Sequence, residues 1–510
     1  MLPLWWRFLE IPDSVHSGLY GDQSFFLWAL ERAKTSRGWR DFVINCDWNQ
    51  KGCLDLRAVP QEWPAMYLIG RIAAFLGART SVVMSTWYYL SPLFNALGAF
   101  YFLGVVTRRW FLSGSLSLLV AFQLSLIYRI RVHFFLVNAW PLFLVLGFTW
   151  RALEALEADG KRFVLASAAL CSALLVLATA SYYYLLFGAL LACALTLLYF
   201  LLRLPGQGAG KLLAQRRIVV FLAMLALTGA ILFVAHRHVF PGGAQGQHQA
   251  SHHREASDVD TFSPKWMDYL KPNSDSVWAH AKLRKIRWTL AKEDIQDRGE
   301  ILAFPGLVTL ATVMATLAYL ILRGLGYVAV HRRLPQRFPA RKACLMALVT
   351  LVAVLIGSQA GGHVIHRVVG AARCFNRMAP FAVLFAAALV GVAWSWPRWA
   401  SHVLAILIAW GAVTEYRQYH VLRPVELKPL DPLREDARRL REECQGGVFA
   451  VTPPIGDWMY APYKTYLLAE LADCKLDGIS GPGFVKRQGA YSVSAPVGKI
   501  NRGDSRFRRE

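Results

Sequence analysis

Ten apolar stretches divide the chain, joined by short polar links in which arginine and lysine crowd every second link. The stretches run over about 82–106, 111–128, 134–150, 163–180, 185–202, 218–235, 302–322, 343–358, 380–396 and 400–413. Most approach the ~20 residues a helix needs to cross the hydrocarbon core of a bilayer, and few carry a charge. The last is the shortest. The pattern predicts a mainly α protein, a polytopic membrane helix bundle of about ten spans.

The links predict sidedness. One set carries Arg108 and Arg109, then Arg151, Lys161 and Arg162, then Arg203, Lys211, Arg216 and Arg217, then Arg323 to Lys342, and finally Arg398. The short links of the other set hold Arg129, Arg131, Arg367, Arg373 and Arg377. Cytoplasmic links are enriched in Lys and Arg, so the first set is expected inside. Both chain ends and the long link over 236–301 are then expected outside.

Three territories follow. Residues 1–80 form an outer segment. Within it, 19–34 reads as an amphipathic helix with Phe25, Phe26, Trp28 and Leu30 on its apolar side, expected to lie on the membrane surface. Residues 81–414 hold the spans and the outer loop 236–301. Residues 415–510 read as a small α/β domain outside the membrane. It has a charged helix over 433–443, a strand over 447–452 and a helix over 463–472. A basic, Gly- and Ser-rich tail after about 486 is expected to be disordered.

Composition agrees with a membrane. Mean hydropathy is +0.34, 55% of residues are hydrophobic, and 18 tryptophans suit interfacial belts. The net charge of +23 raises the question of nucleic acid. Much of it sits in short links between spans, where it serves topology and anionic headgroups, and no zinc-finger or RNA-binding motif is present. The partner is the lipid bilayer, with no nucleic acid. Residues 1–40 lack the charged start and apolar core of a signal peptide. With an outer N-terminus two readings stay open: 82–106 is a reverse anchor, or a first span lies upstream.

Cysteines divide by territory. Cys171, Cys193 and Cys344 fall in or beside spans and are expected to be packing residues; Cys374 lies in an outer link. Cys46 and Cys53 bracket six residues of the outer N-terminal segment, and Cys444 and Cys474 lie in the outer C-terminal domain. Pairs in such places can form disulfides.

Four groups could carry chemistry. Asp22 follows a glycine at the start of a predicted helix, where backbone N–H groups would hold its carboxylate ionised. There it could act as general base towards a hydroxyl at the bilayer surface. Arg373 and Arg377 lie four apart in an outer link, with Arg367 just before them. On a helix they share one face and make a clamp for phosphate. Arg131 and His133 sit in a second basic outer hinge. The histidines at 236, 238, 248, 252 and 253 lie near Asp258 and Asp260 and could hold a divalent metal, though their spacing matches no tetrahedral metal signature. No other cofactor is indicated. No Walker A loop, nucleophile elbow, HExxH or dinucleotide fingerprint stands where its context would support it.

The order of features resembles the multi-spanning glycosyltransferases of the C superfamily, in particular their less characterised bacterial members. The likeness lies in the early outer motif Tyr20-Gly21-Asp22-Gln23-Ser24-Phe25-Phe26-Leu27-Trp28 and the Pro-rich approach Pro60-Gln61-Glu62-Trp63-Pro64. It continues in the outer loop at Asp260-Thr261-Phe262-Ser263-Pro264-Lys265-Trp266-Met267-Asp268-Tyr269-Leu270-Lys271-Pro272. The pair Arg373 and Arg377 before a late span and the turn Gly478-Ile479-Ser480-Gly481-Pro482-Gly483-Phe484 complete it. The chain differs in having Gln23 after Asp22, where many members carry a second acid.

The resemblance implies a membrane glycosyltransferase at the bacterial inner membrane, active on its outer side. It would transfer a sugar from a polyprenyl-phosphate-linked donor to a glycan or lipid acceptor. Asp22 would take the acceptor proton, and Arg373, Arg377 and Arg367 would hold the donor phosphate. Arg131, His133, Lys265 and Tyr269 would border the cavity. A transporter or flippase of lipid-linked saccharides would use the same arginines without a base, and a non-catalytic envelope assembly protein would need neither. No pair of Gly/Pro-broken spans marks a transporter.

Overall fold

The computed structural model describes residues 14–16, 22–45, 54–55, 63–127, 137–155, 160–180, 182–202, 223–224, 227–230, 259–260, 263–270, 303–331, 340–368, 375–394 and 398–416, with short stretches at 427–429, 435, 437–438, 441–442, 448–449 and 475–476. Strand β1 (Ser14–His16) precedes helices α1 (Asp22–Thr35) and α2 (Trp39–Val43), the hairpin β2 (Ile44–Asn45) and β3 (Leu54–Asp55), and helix α3 (Trp63–Phe75). The bundle then comprises α4 (Thr80–Thr107), α5 (Trp110–Ala121), α6 (Leu124–Ile127), α7 (Trp140–Ala155), α8 (Gly160–Ala180) and α9 (Tyr182–Leu201). It continues with α10 (Leu307–His331), α11 (Ala340–Gly357), α12 (Gln359–Val368), α13 (Ala379–Ala393) and α14 (Arg398–Tyr416). Short strands β4 (Leu427–Pro429), β5 (Val448–Phe449) and β6 (Lys475–Leu476) follow.

The protein is an integral membrane protein, mainly helical. Leu90–Thr107, Lys161–Thr179 and Tyr184–Leu201 are each long and apolar enough to cross a bilayer. So is the pair formed by α11 and α12, which is bent by 74° at its break. Shorter apolar helices at Trp110–Ala121, Leu307–Leu322, Ala379–Ala393 and Trp399–Glu415 accompany them. The stretch expected to span over 111–128 is interrupted: α5 stops at Ala121 and α6 starts at Leu124, with Gln123 buried at the break. The stretch over 134–150 becomes α7, which starts only at Trp140 and continues past Arg151 to Ala155. Most of the stretch over 218–235 lies outside the described residues.

Helix α13 is the centre. Every residue from Ala379 to Ala393 is buried, as expected of a helix apolar on all sides and surrounded by others. Phe385 meets Phe102 of α4 edge-on at 5.5 Å, and Phe381 meets Phe143 of α7 at 5.7 Å and Tyr184 of α9 at 5.5 Å. Lipid tails are as apolar as these rings, so tight packing holds such helices together. Each aromatic pair contributes about 0.5–1.5 kcal/mol beyond its area.

Charge marks one end of the bundle. Arg108 and Lys342 both reach Glu154 Oε1, at 3.3 and 3.0 Å. Lys342 also sits over the Trp150 ring, 5.3 Å from its centroid. The Tyr199 hydroxyl donates to Leu153 O at 3.1 Å. The last turns of α4, α7 and α9 therefore meet the first turn of α11. These are ends that the Arg/Lys pattern groups on one side. The opposite end holds the start of α7 and the end of α11. There Asn95, midway along α4, accepts from the N–H groups of Ala139 and Trp140 at 3.0 Å each and donates to Val137 O at 2.7 Å. The uncovered backbone groups at the start of α7 are satisfied in this way.

Helix α1 corrects the expectation of a surface helix. Phe26, Leu27, Trp28, Ala29, Leu30, Glu31, Arg32 and Ala33 are all buried in succession. Its charges turn inward. Glu31 accepts from the Thr80 hydroxyl at the first turn of α4, and Lys34 donates to Ala78 O at 3.1 Å. Arg32 donates to the carbonyls of Asp41, Phe42 and Ile44 at 2.8, 3.1 and 3.3 Å. The reason is α3, a helix that the hydropathy pattern passes over because its 13 residues are too few to span. Gly70 lets α3 approach Ala33 and the Leu30 carbonyl of α1. Its other side leaves Leu68, Ile72, Phe75 and Leu76 exposed. The outward apolar face expected of α1 belongs to α3.

The segments before and after the bundle meet. β1 pairs antiparallel with β4, Val15 opposite Lys428. In the C-terminal segment β5 pairs parallel with β6, Val448 opposite Lys475. Helical turns at 435, 437–438 and 441–442 fall within the helix expected over 433–443; the helix expected over 463–472 and the tail lie outside the described residues.

Candidate functional site

The break between α11 and α12 organises this end of the bundle. Ser358 turns its hydroxyl back onto Leu355 O at 2.7 Å, and Gly361 lies against the same carbonyl. A Cβ at Gly362 would stand 2.7 Å from the Phe375 ring and 3.0 Å from Val259. Larger residues at these two positions would hold α12 off the segments packed against it.

Two of those segments come from far away in sequence. The outer loop contributes residues 259–260 and 263–270. Gln359 N–H donates to Pro264 O, and its side chain donates to Asp260 O, both at 2.9 Å. His363 Nε2 lies 2.8 Å from Asp260 Oδ1. The second segment is a 3-10 turn, Phe375–Met378, whose first N–H donates to Ser263 Oγ at 3.4 Å. Phe375 is buried against Phe187 of α9, with ring centroids 5.9 Å apart. Pro380, suited to a first turn where N–H groups lack partners, then starts α13.

The outer loop closes on itself through the turn Trp266–Tyr269, where Lys265 N–H donates to Asp268 Oδ2 at 2.7 Å. Tyr269 turns inward against Gly357 and Met378. Its hydroxyl is buried and makes no hydrogen bond among the described residues. Burial, and then the charge of Asp268, push its acid dissociation above the ordinary tyrosine value.

Several residues singled out in the sequence are gathered here. Arg377 sits half-buried in the turn before α13, Arg367 is exposed at the end of α12, and Lys265 is exposed on the loop. Arg377 belongs to a 3-10 turn that begins at Phe375. Arg373, its expected partner on a helical face, lies outside the described residues. So do Arg131, His133, Cys46, Cys53, Cys444, Cys474 and the histidines over 236–253. Asp22 is the first residue of α1. That helix is docked on the first turn of α4, at the far end of α4 from the Arg108–Glu154–Lys342 junction.

Sequence reasoning missed the His363–Asp260 pair and the role of Gln359. A signal was present: Gln359, His363 and Arg367 recur every four residues and share one face of α12. Among the described residues no three metal-ligating side chains cluster. The charged set is Lys265, Arg367, Arg377 and His363 against Asp260 and Asp268, suited to holding an anion. An apolar cleft of about 400 Å³ runs between α7 and α8, bounded at one end by Trp140 and Pro141.

No family model and no curated protein sequence matches this chain. Solved structures similar to it include an oligosaccharyltransferase from Archaeoglobus fulgidus with a tethered acceptor peptide. That pair is 12% identical, with 93% of this chain and 62% of the other covered and a TM-score of 0.47. The chain thus spans about six-tenths of that protein's length. ArnT from Cupriavidus metallidurans matches in its apo state at 12% identity, covering 94% of this chain and 84% of the other, with a TM-score of 0.42. Its complex with undecaprenyl phosphate matches at 12% identity, 93% and 83% coverage and 0.40.

Proposed function

We propose that this protein is a membrane glycosyltransferase that moves a sugar from a polyprenyl-phosphate carrier to an acceptor hydroxyl at the outer face of a bacterial inner membrane. Asp22 takes the acceptor proton as the hydroxyl attacks the sugar's anomeric carbon. Arg377 and Arg367, with Arg373, hold the phosphate that leaves and stabilise its growing charge. Lys265 borders the same space, and the cleft between α7 and α8 offers hydrocarbon-lined room for part of a lipid chain.

One observation carries this reading. The outer loop, α12 and the turn before α13 are drawn together by hydrogen bonds and bring Lys265, Arg367 and Arg377 to one end of the bundle. The helix that begins at Asp22 docks on the first turn of α4, the end of that helix away from the Arg108–Glu154–Lys342 junction. The order of sequence motifs adds the sugar chemistry.

The test uses purified protein in lipid. Asp22→Asn should keep donor binding while transfer falls by roughly a hundredfold or more. Arg377→Ala should weaken donor binding by roughly ten- to a hundredfold, with Arg377→Lys in between, because an ammonium keeps the charge without the fork. Transfer or transport undiminished in Asp22→Asn favours a carrier of lipid-linked saccharides. Unchanged donor binding in both arginine variants removes the phosphate site.

A further inference from the structure

We propose that His363, oriented by Asp260, is a third cation for the donor phosphate and strengthens its binding when protonated. The inference rests on the phosphate-binding reading above.

Geometry supports it in three ways. First, His363 Nε2 lies 2.8 Å from Asp260 Oδ1 across 103 residues of sequence, which sets the plane of the ring. Among the described residues its other ring nitrogen makes no hydrogen bond and is open to a ligand. Second, Asp260 is itself held. Its carbonyl accepts from Gln359, and the next part of the loop is pinned by the Gln359 N–H on Pro264 O. Third, His363 and Arg367 are one helical turn apart on α12, and the turn carrying Arg377 packs against the same helix through Gly362 and Phe375. A phosphate facing Arg367 would meet a ring on the same helix face.

Among the described residues, the charged groups of the elements packed round His363 are Asp260, Lys265 and Asp268 on the loop, His366 and Arg367 on α12, and Arg377 on the turn. Asp260 lies nearest. Of these residue types only histidine ordinarily changes charge near neutrality. His366 is buried, whereas His363 is over a third exposed.

The experiment measures binding of a prenyl phosphodiester, which keeps one negative charge from pH 5.5 to 8.5, to the full chain in nanodiscs. The wild type should bind about tenfold more tightly at pH 5.5 than at pH 8.5. In His363→Gln, whose amide can still donate to Asp260, binding should become nearly independent of pH and match the wild type at pH 8.5. Asp260→Ala, which frees the ring plane, should bring binding at pH 5.5 down towards the pH 8.5 value; it also serves if His363→Gln fails to fold. A His363→Gln profile like that of the wild type, or undiminished binding at pH 5.5 in Asp260→Ala, overturns the role of His363 and leaves the arginines standing. Absence of phosphodiester binding by the wild type at every pH overturns the phosphate reading and this inference together.

Discussion

At the scale of residues, Tyr269 shows how position decides what a side chain does. Its ring fills the space beside Gly357, but its hydroxyl is buried without a partner among the described residues. Leaving a buried polar group unpaired costs about 1–3 kcal/mol. Tyr269→Phe should therefore leave thermal stability equal or raise it by about 1 kcal/mol. The pH dependence has a definite sign. The folded-state dissociation is raised above the unfolded value of about 10, so docking of the loop is at full strength below that pH and weakens as the pH rises through it. Melting of the wild type should fall more steeply than that of Tyr269→Phe between pH 9 and pH 11. Equal slopes would mean the hydroxyl is solvated. Cys46 and Cys53 make a second residue-scale case. Both are expected on the outer side of the membrane, where thiols can oxidise, and they lie close enough in sequence for a short-loop disulfide. Peptide mass spectrometry without reduction should find the two joined; two freely alkylated thiols would count against it.

Among elements, α12 matters most to the site. It is too short to span and is folded back at 74° from α11. It stays there because glycines at 361 and 362 allow contact with the Leu355 carbonyl and the Phe375 ring. Gly362→Val would push on Phe375 and Val259, and overpacking of this kind costs about 1–3 kcal/mol. The strain falls on the junction that brings Arg367, Arg377 and the outer loop together. Hydrogen exchange over 259–269 should speed up in this variant while exchange in α13 stays slow. Equal protection in both would show that α12 does not hold the loop. A buried cap serves the other late helices: Glu415 near the end of α14 accepts from Leu307 and Val308 N–H at 2.7 and 3.0 Å. Gly306, at φ 93°, makes the turn that permits it. The hydropathy pattern ends the last span at 413 and treats Glu415 as the start of soluble chain. The helix instead runs to Tyr416, because its carboxylate answers the exposed N–H groups of α10.

For the whole molecule, sidedness decides whether the site can work as proposed. The Arg108–Glu154–Lys342 junction gathers ends that the Arg/Lys pattern groups together. The β1–β4 pairing puts residues before α1 next to residues after α14. Both fit one arrangement, with the basic junction in the cytoplasm and both terminal segments outside. A reporter active only in the cytoplasm should be silent when fused after Arg417 and bright when inserted near Gln336. Signal at the first position and silence at the second would reverse the orientation and move the site to the wrong face for an outer acceptor.

Much of this architecture was legible in one dimension. Hydrocarbon demands long runs of apolar residues whose backbones satisfy themselves, so membrane helices announce themselves as continuous stretches, and charge in the links gives their grouping. Arg377 and Arg367 stood out for the same reason, as charge where charge is scarce. Tertiary structure alone decided the rest. Whether α1 lies on the surface depends on α3, whose 13 residues carry no spanning signal. Whether His363 matters depends on Asp260, 103 residues away, brought to it by a bend and two glycines. Hydropathy records what each residue prefers as its solvent. Which polar groups meet is set by the packing of helices distant in the chain, and no local pattern encodes that.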